Sequence, residues 1–328
     1  MTDLLGTLIV DSIAPRWKHY AIGSVAVFWL GGAALLLLGW PELAHLGDCS
    51  GSAAALCRSE PPGGWRSWVV PATLIVVVIG TASLLHAAAQ PLLAYCSGDD
   101  WPDLAAVRAW ERRRRSAHAR RRARLTSMWV ERDEAEWGWE ARTGSYARWR
   151  RYPTGERRAG EARVATTRPG NALAAARQRV YDIFGLDLGI CWGPMLAAMP
   201  ELGRTRVAEG ATVVQLRVQQ HGLALLTPAW VIVALAAPWP WRTRLAVAAA
   251  LLVVAVVAIV ATRLRMCTAI EGYADLVEDA VLVHRGALYA AAGVGLPGDS
   301  ELERRAAARL TDWLTATNPA PVAFAWPE

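Results

Sequence analysis

The sequence predicts an all-α integral membrane protein, four transmembrane helices with a helical cytoplasmic domain, and two observations lead there. First, apolar stretches occupy 19–40, 68–95, 222–238 and 243–262. A helix rises about 1.5 Å per residue, so about 20 apolar residues cross the hydrocarbon core. The first two stretches hold no charge, and Leu245 to Ala261 is seventeen unbroken apolar positions. Second, mean hydropathy is +0.20 although 20% of residues are charged. The charges lie between the apolar stretches.

Orientation follows from arginine. Of the 34 arginines, 23 fall between the second and third stretches, against Arg58 and Arg66 in the first connecting loop. Positive charge near membrane ends is retained inside, so both termini and the long central segment are expected in the cytoplasm of a bacterial cell, below a multi-pass cell membrane. Arg242 and Arg244 run mildly against this. The wealth of Arg and Ala beside a single lysine, Lys18, matches a GC-rich bacterial genome. Met1–Ala14 has two acids and no cleavage site after the first span, so that span should remain as an anchor.

The expected organisation is an N-terminal membrane hairpin (1–95, with an outside loop at 41–67), a cytoplasmic helical domain (96–221), a second hairpin (222–262), and C-terminal cytoplasmic helices with a tail (263–328). Cys49 and Cys57 in the outside loop suit a disulfide. Cys96, Cys191 and Cys267 are spread over the inner segments and suit buried structural thiols.

Within the second span Ser83, His86 and Gln90 are three and four residues apart, which places them on one helical face. Such a stripe suits interhelical hydrogen bonds or a pore lining. Next comes a basic helix, Asp103–Met128, with Arg108, Arg112, Arg113, Arg114, Arg115, Arg120, Arg121, Arg122 and Arg124 against Glu111. It could meet anionic lipid or fold against the acidic run Glu131–Glu140. A nucleic-acid partner is not expected, because no recognition fold accompanies the charge. Asn171–Phe184 has apolar residues at helical spacing and Gly185 as its stop, with Asn171 placed to cap it. Gly193-Pro194 should break the chain, Thr227-Pro228 should kink the third span, and Ala269–Gly293 and Glu301–Thr315 should form separate helices after the fourth. Trp137, Trp139 and Trp149 should pack the cytoplasmic domain.

Catalytic signatures are missing: no phosphate-binding glycine loop, no nucleophile elbow, no zinc spacing. Six histidines stand singly. Neither an enzyme, a cofactor nor a metal is expected.

Arg151-Tyr152-Pro153, Thr167-Arg168-Pro169-Gly170-Asn171-Ala172-Leu173, and then Tyr181, Gly185, Asp187, Trp192, Leu196 and Pro200 resemble a pattern in uncharacterised actinobacterial four-span membrane proteins. Gln90-Pro91-Leu92-Leu93 with Trp101-Pro102, and Val283-His284-Arg285 with Leu288-Tyr289, extend the likeness. Gly193, Arg177 and Ser97-Gly98-Asp99 depart from it. The resemblance implies the four-span topology and no catalytic residues. Arg168, Asn171, Tyr181, Asp187 and Trp192 form a patch that suits either packing or a small ligand.

A large inner domain on few spans is similar in architecture to ligand-operated channels and bacterial membrane effectors. The expectation is a homo-oligomeric channel or effector gated by its cytoplasmic domain. The alternative is a non-conducting membrane-tethered scaffold or regulator that recruits a cytoplasmic protein.

Overall fold

The computed structural model describes residues 17–39, 65–98, 101–130, 146–153 and 164–315. Every regular element among them is helical: α1 (Trp17–Gly39), α2 (Trp65–Ala87), α3 (Ala89–Ser97), α4 (Ala105–Val130), α5 (Arg168–Phe184), α6 (Leu188–Ala198), α7 (Glu201–Leu226), α8 (Pro228–Ala236), α9 (Trp241–Ala291) and α10 (Ser300–Thr315). A further helical turn lies at 146–149. These elements form two compact units, one from the described residues of 90–215 and 267–328, the other from those of 15–89 and 216–266.

The second unit is built from helices that are apolar around most of their circumference, the pattern of a membrane span or a deep core. Val25 of α1, Ala82 and Leu85 of α2, and Leu223 of α7 bury one another, with Phe28, Trp29 and Val78 against them. The Trp29 indole donates to Thr81 Oγ1 at 3.1 Å. Phe28, Trp29 and Trp230 of α8 form a ring-to-ring wedge with centroids 5.6 to 5.7 Å apart. Gly32 admits it, since any Cβ there would overlap the Trp230 indole. His221 meets Thr262 at 3.1 Å, whereas the Trp239 indole donates to the Leu38 carbonyl at 3.1 Å. Val25 pairs with Ala82 and Leu223 early in α1, and Leu38 pairs with Trp239 late in it, so successive helices alternate in direction.

The outward residues of this unit are apolar: Val27, Leu30, Ile75, Ile79, Val253 and Val257 are all exposed. Among the described residues two helical stretches, Glu201–Ala236 and Trp241–Ala291, are long and apolar enough to cross a membrane, or up to four if the bent pairs α2–α3 and α5–α6 each count as one span, while Gly23–Leu35 of α1 is a shorter apolar helix. Only 11% of the most apolar window of Trp241–Ala291 is buried in the protein. At Thr227-Pro228, where a kink is expected, α7 ends at Leu226 and α8 starts at Pro228. Pro228 has no amide to give the Ala224 carbonyl, and Thr227 N–H takes that acceptor at 3.2 Å.

In the first unit Val180, Leu186, Trp192, Met195, Val207, Ile270 and Tyr289 make the core. Ala172 and Ala176 of α5 close against Ala274 of α9. Gly185 ends α5 as expected, at φ +77°, its N–H on the Tyr181 carbonyl. The Asp299 carboxylate starts α10 by accepting the amides of Glu301 and Leu302 at 2.9 and 2.8 Å.

Three expectations are corrected. The residue that caps α5 is Thr167, not Asn171, and the helix starts at Arg168. Gly193-Pro194 does not break the chain, because α6 runs through it. A proline inside a helix costs about 3 kcal/mol or more, but Cys191, Trp192, Met195 and Leu196 around it are buried, and each large apolar side chain so buried contributes about 1.5–3 kcal/mol. Packing outweighs the lost bond. Finally, the fourth apolar stretch and the helix after it are one element of 51 residues, about 76 Å long at the α-helical rise. Neither proline nor a glycine–proline pair interrupts the helix, and Arg263 and Arg265 are good helix formers.

Candidate functional site

Two acids of α9 organise the first unit. Glu271 and Glu278 are seven residues apart, two turns along one face. Glu271, whose side chain is 3% exposed, takes the guanidinium of Arg168 through Nε and Nη2, the latter at 2.7 Å, and that of Arg151 at 2.9 Å. Glu278 takes Arg150 at 2.8 Å and Arg179 at 2.7 and 2.9 Å. Arg179 also donates to the Arg150 carbonyl. Arg168 and Arg179 are eleven residues apart, three turns of α5, so both reach α9 from the same face. Four guanidinium groups thus surround two carboxylates, and a fork-shaped donor suits each. Burial by itself would raise Glu278; the hydrogen bonds and charges of Arg179 and Arg150 outweigh it and hold the carboxyl below its usual range.

Beside this lattice, Tyr152 O–H and His118 Nδ1 meet at 3.1 Å. Burial raises the phenol, reinforced by Glu271 and opposed by Arg121 and Arg168. Burial also lowers the imidazole, and the charges of Arg114 and Arg121 lower it further. Both shifts favour the uncharged forms of the pair. Trp149 adds a hydrogen bond to Thr126 Oγ1 at 3.3 Å, which ties the 146–153 segment to α4.

The Thr167–Asn171 motif is a knot. Thr167 Oγ1 donates to the Ser97 carbonyl at 2.8 Å and accepts the Gly170 amide at 3.2 Å. Asn171 accepts from the Ala165 amide at 2.9 Å and donates to the carbonyls of Ala165 and Thr167 at 3.0 and 2.7 Å. Gly98 stands at φ +85° against Thr166, and a Cβ on Gly170 would strike the Ser97 carbonyl. The end of α3 is thereby fastened to the start of α5.

The five residues of the sequence-derived patch engage different partners. Arg168 belongs to the lattice and Asn171 to the knot. Asp187 caps α6 by accepting the Gly189 amide at 2.8 Å and holds Arg177 at 2.8 and 3.0 Å. Tyr181 is half-buried, and Trp192 is a core residue whose indole N–H has no acceptor among the described residues. Ser83 and His86 sit on α2, but Gln90 follows the interruption at Ala88 and belongs to α3. Ser83 is exposed, His86 and Gln90 are half-buried, and the buried positions there are Ala82, Leu85 and Ala89.

Along α4, Arg108 pairs with Asp103 at 3.1 Å, Arg115 nears Glu111 at 3.8 Å, and Arg114 covers the Trp110 ring at 5.3 Å. Arg122 is also engaged. Arg112, Arg113, Arg120, Arg121 and Arg124 are exposed, without an ion-pair partner among the described residues. Cys49 and Cys57, the run Glu131–Glu140, Trp137 and Trp139 lie outside the described residues. Cys191 and Cys267 are buried, and Cys96 is half-buried. In the second unit Ser24, Val25, Ala82, Leu85, Leu216, Gln219, Gln220 and Leu223 line a narrow crevice with no room for a water molecule. No group of three potential metal ligands occurs among the described residues.

No family model, no curated protein and no solved structure matches the chain. Its chemistry has to be read from its own residues. Sequence reasoning missed Glu271, Glu278, Arg150 and Arg179. The signal was available: Glu271, Asp275 and Glu278 put three acids on one face of an otherwise apolar segment. What the lattice does chemically is fix the 146–153 segment and α5 onto α9 while leaving a surplus of positive charge.

Proposed function

We propose that the chain is a four-span integral protein of the bacterial cell membrane, with both termini and the lattice-bearing unit on the cytoplasmic side, and that it acts as a membrane-tethered regulator. The single observation that carries this reading is the packing of both α2 and α8 against α1 within one copy. The Phe28–Trp29–Trp230 wedge and the Gly32 notch fill the interior of one copy, so the membrane helices serve as an anchor and the charged unit meets the partner. Alternation of helix direction supports four spans, and the 23 central arginines support the orientation. Kinship with the actinobacterial four-span proteins belongs to the same proposal. Its support is that their Thr-Arg-x-Gly-Asn element has a physical task here, the knot between α3 and α5.

One observation favours a second reading, a homo-oligomeric channel gated by the cytoplasmic unit. Ser83 is exposed on an apolar helix, and a polar group there faces either lipid or a second copy. Sizing of the purified protein in mild detergent, with planar-bilayer recordings of wild type, His86→Ala and Gln90→Ala, separates the two. A silent monomer supports the regulator. An oligomer whose conductance changes in both variants overturns it in favour of the channel. Topology is tested separately by cysteine labelling: Gly144 and Glu328 are expected inside and Gly51 outside, and an external Gly144 overturns the orientation.

A further inference from the structure

We infer that α4 is an anionic-lipid docking helix, whose exposed arginine ridge and adjoining aromatic ladder lay the first unit on the headgroups of the bilayer that holds the chain. The inference rests on the four-span reading. Trp110, Arg113, Arg120, Arg121 and Arg124 recur at three, four and seven residues, hence along one stripe of α4. All five are exposed, and the four arginines have no ion-pair partner among the described residues. A solvated basic face alone would say little. The second observation is the aromatic ladder at its start.

Trp101 stacks on Trp110 at 4.3 Å and approaches Tyr95 at 5.9 Å. Its indole donates to the Tyr95 carbonyl at 2.7 Å, which ties the end of apolar α3 to the start of α4. Tyr95 and Trp110 remain 53% and 45% exposed, with Leu104 between them in sequence at 60%. Large exposed aromatics beside arginine are what a headgroup layer accommodates, the rings at the interface and the guanidinium groups on phosphate. Arg114 over Trp110 continues the same alternation. Only seven residues separate Ser97, the last residue of α3, from Ala105, the first of α4, so the ridge starts within reach of the surface that an apolar segment leaves. An acidic cytoplasmic protein would match the arginines, but it leaves the exposed Tyr95, Leu104 and Trp110 unexplained. Lipid accounts for both.

The test uses the full chain reconstituted in nanodiscs of phosphatidylcholine with or without phosphatidylglycerol, and reads lipid retention by native mass spectrometry together with the thermal midpoint. Wild type should retain phosphatidylglycerol selectively and melt higher with it. The triple variant Arg113→Gln/Arg120→Gln/Arg124→Gln should lose that selectivity by about fivefold for each arginine removed while melting as wild type does in phosphatidylcholine. A variant with the same charge loss elsewhere, Arg204→Gln/Arg206→Gln/Arg309→Gln, should keep it. Trp110→Ala should weaken it with no change of charge. Equal retention of the two lipids by wild type, or equal loss in the two triple variants, overturns the inference. So does ridge-dependent binding of a polyglutamate peptide with no lipid selectivity, which assigns the ridge to an acidic protein. Failure of the chain to enter nanodiscs of either composition overturns the four-span reading itself.

Discussion

The Arg168 guanidinium grips the Glu271 carboxylate with two of its nitrogens, across 103 residues of sequence, and Arg151 closes on the same carboxylate from a third element. Glu271 is therefore the point at which α5, α9 and the 146–153 segment are pinned together. Removing it leaves two guanidinium groups facing each other with no anion between them.

Glu271→Ala should destabilise the first unit by about 3 kcal/mol. That is the lower end of the range for an orphaned buried partner, since Arg168 and Arg151 are part-exposed and water can reach them. Arg168→Lys should cost less but remain measurable, because an ammonium cannot span both carboxylate oxygens. Urea unfolding of the detergent-solubilised protein, with the double variant Arg168→Ala/Glu271→Ala completing the cycle, reads the coupling. Additive single effects would remove the lattice from the account.

Acid should destabilise the protein in two separate windows. His118 has a folded pKa below its ordinary 6.5, so above pH 6.5 its titration changes nothing. As pH falls through 6.5 the unfolded chain takes the proton first, and stability drops until the folded pKa is reached. Glu278 is lowered from 4.5. Its contribution is complete above 4.5 and disappears as pH falls from there through the folded pKa. Unfolding midpoints between pH 7.5 and pH 5 should therefore decline in wild type and decline less steeply in His118→Gln. An equal slope in both would assign the decline to another group.

Gly32 should accept no side chain. A Cβ there overlaps the Trp230 indole, and α1 carries Phe28 and Trp29 against the same ring. Gly32→Ala should lower stability by about 1–3 kcal/mol, the usual cost of overpacking, and Trp230→Leu should restore part of it. The thermal midpoint in detergent checks both. A neutral Gly32→Ala would mean that α1 and α8 separate at little cost.

Gly98→Ala should act on the knot. The left-handed backbone costs a residue with a side chain about 1–2 kcal/mol, and Thr166 stands where the new methyl would go. Hydrogen exchange of the Gly170 amide should rise in the variant, since that amide binds Thr167 Oγ1 beside the Ser97 contact. Unchanged exchange there would show that α5 starts independently of α3.

Some features were legible in the sequence because they depend on neighbours along the chain. Helical class follows from the length of the apolar runs and from apolar residues at helical spacing. Gly185 stops α5 because a left-handed residue closes a helix cheaply only as glycine, and Pro228 interrupts the third apolar stretch because it has no amide to give. The apolar runs likewise announce themselves by length and composition.

Other features required contacts between residues 70 to 128 apart. The sequence contains 34 arginines, and nothing local says which four meet Glu271 and Glu278. That choice is made by α5 and the 146–153 segment lying against one face of α9. Asn171 looked like a cap, but the Ser97 carbonyl had already drawn Thr167 into that position. Pro194 looked like a break, and the burial of Trp192 and Met195 around it decided otherwise. Ser83, His86 and Gln90 are one stripe on an ideal helix, and an interruption at Ala88 divided them. In each case a local preference met contacts from elsewhere in the chain, and only the folded chain adds them.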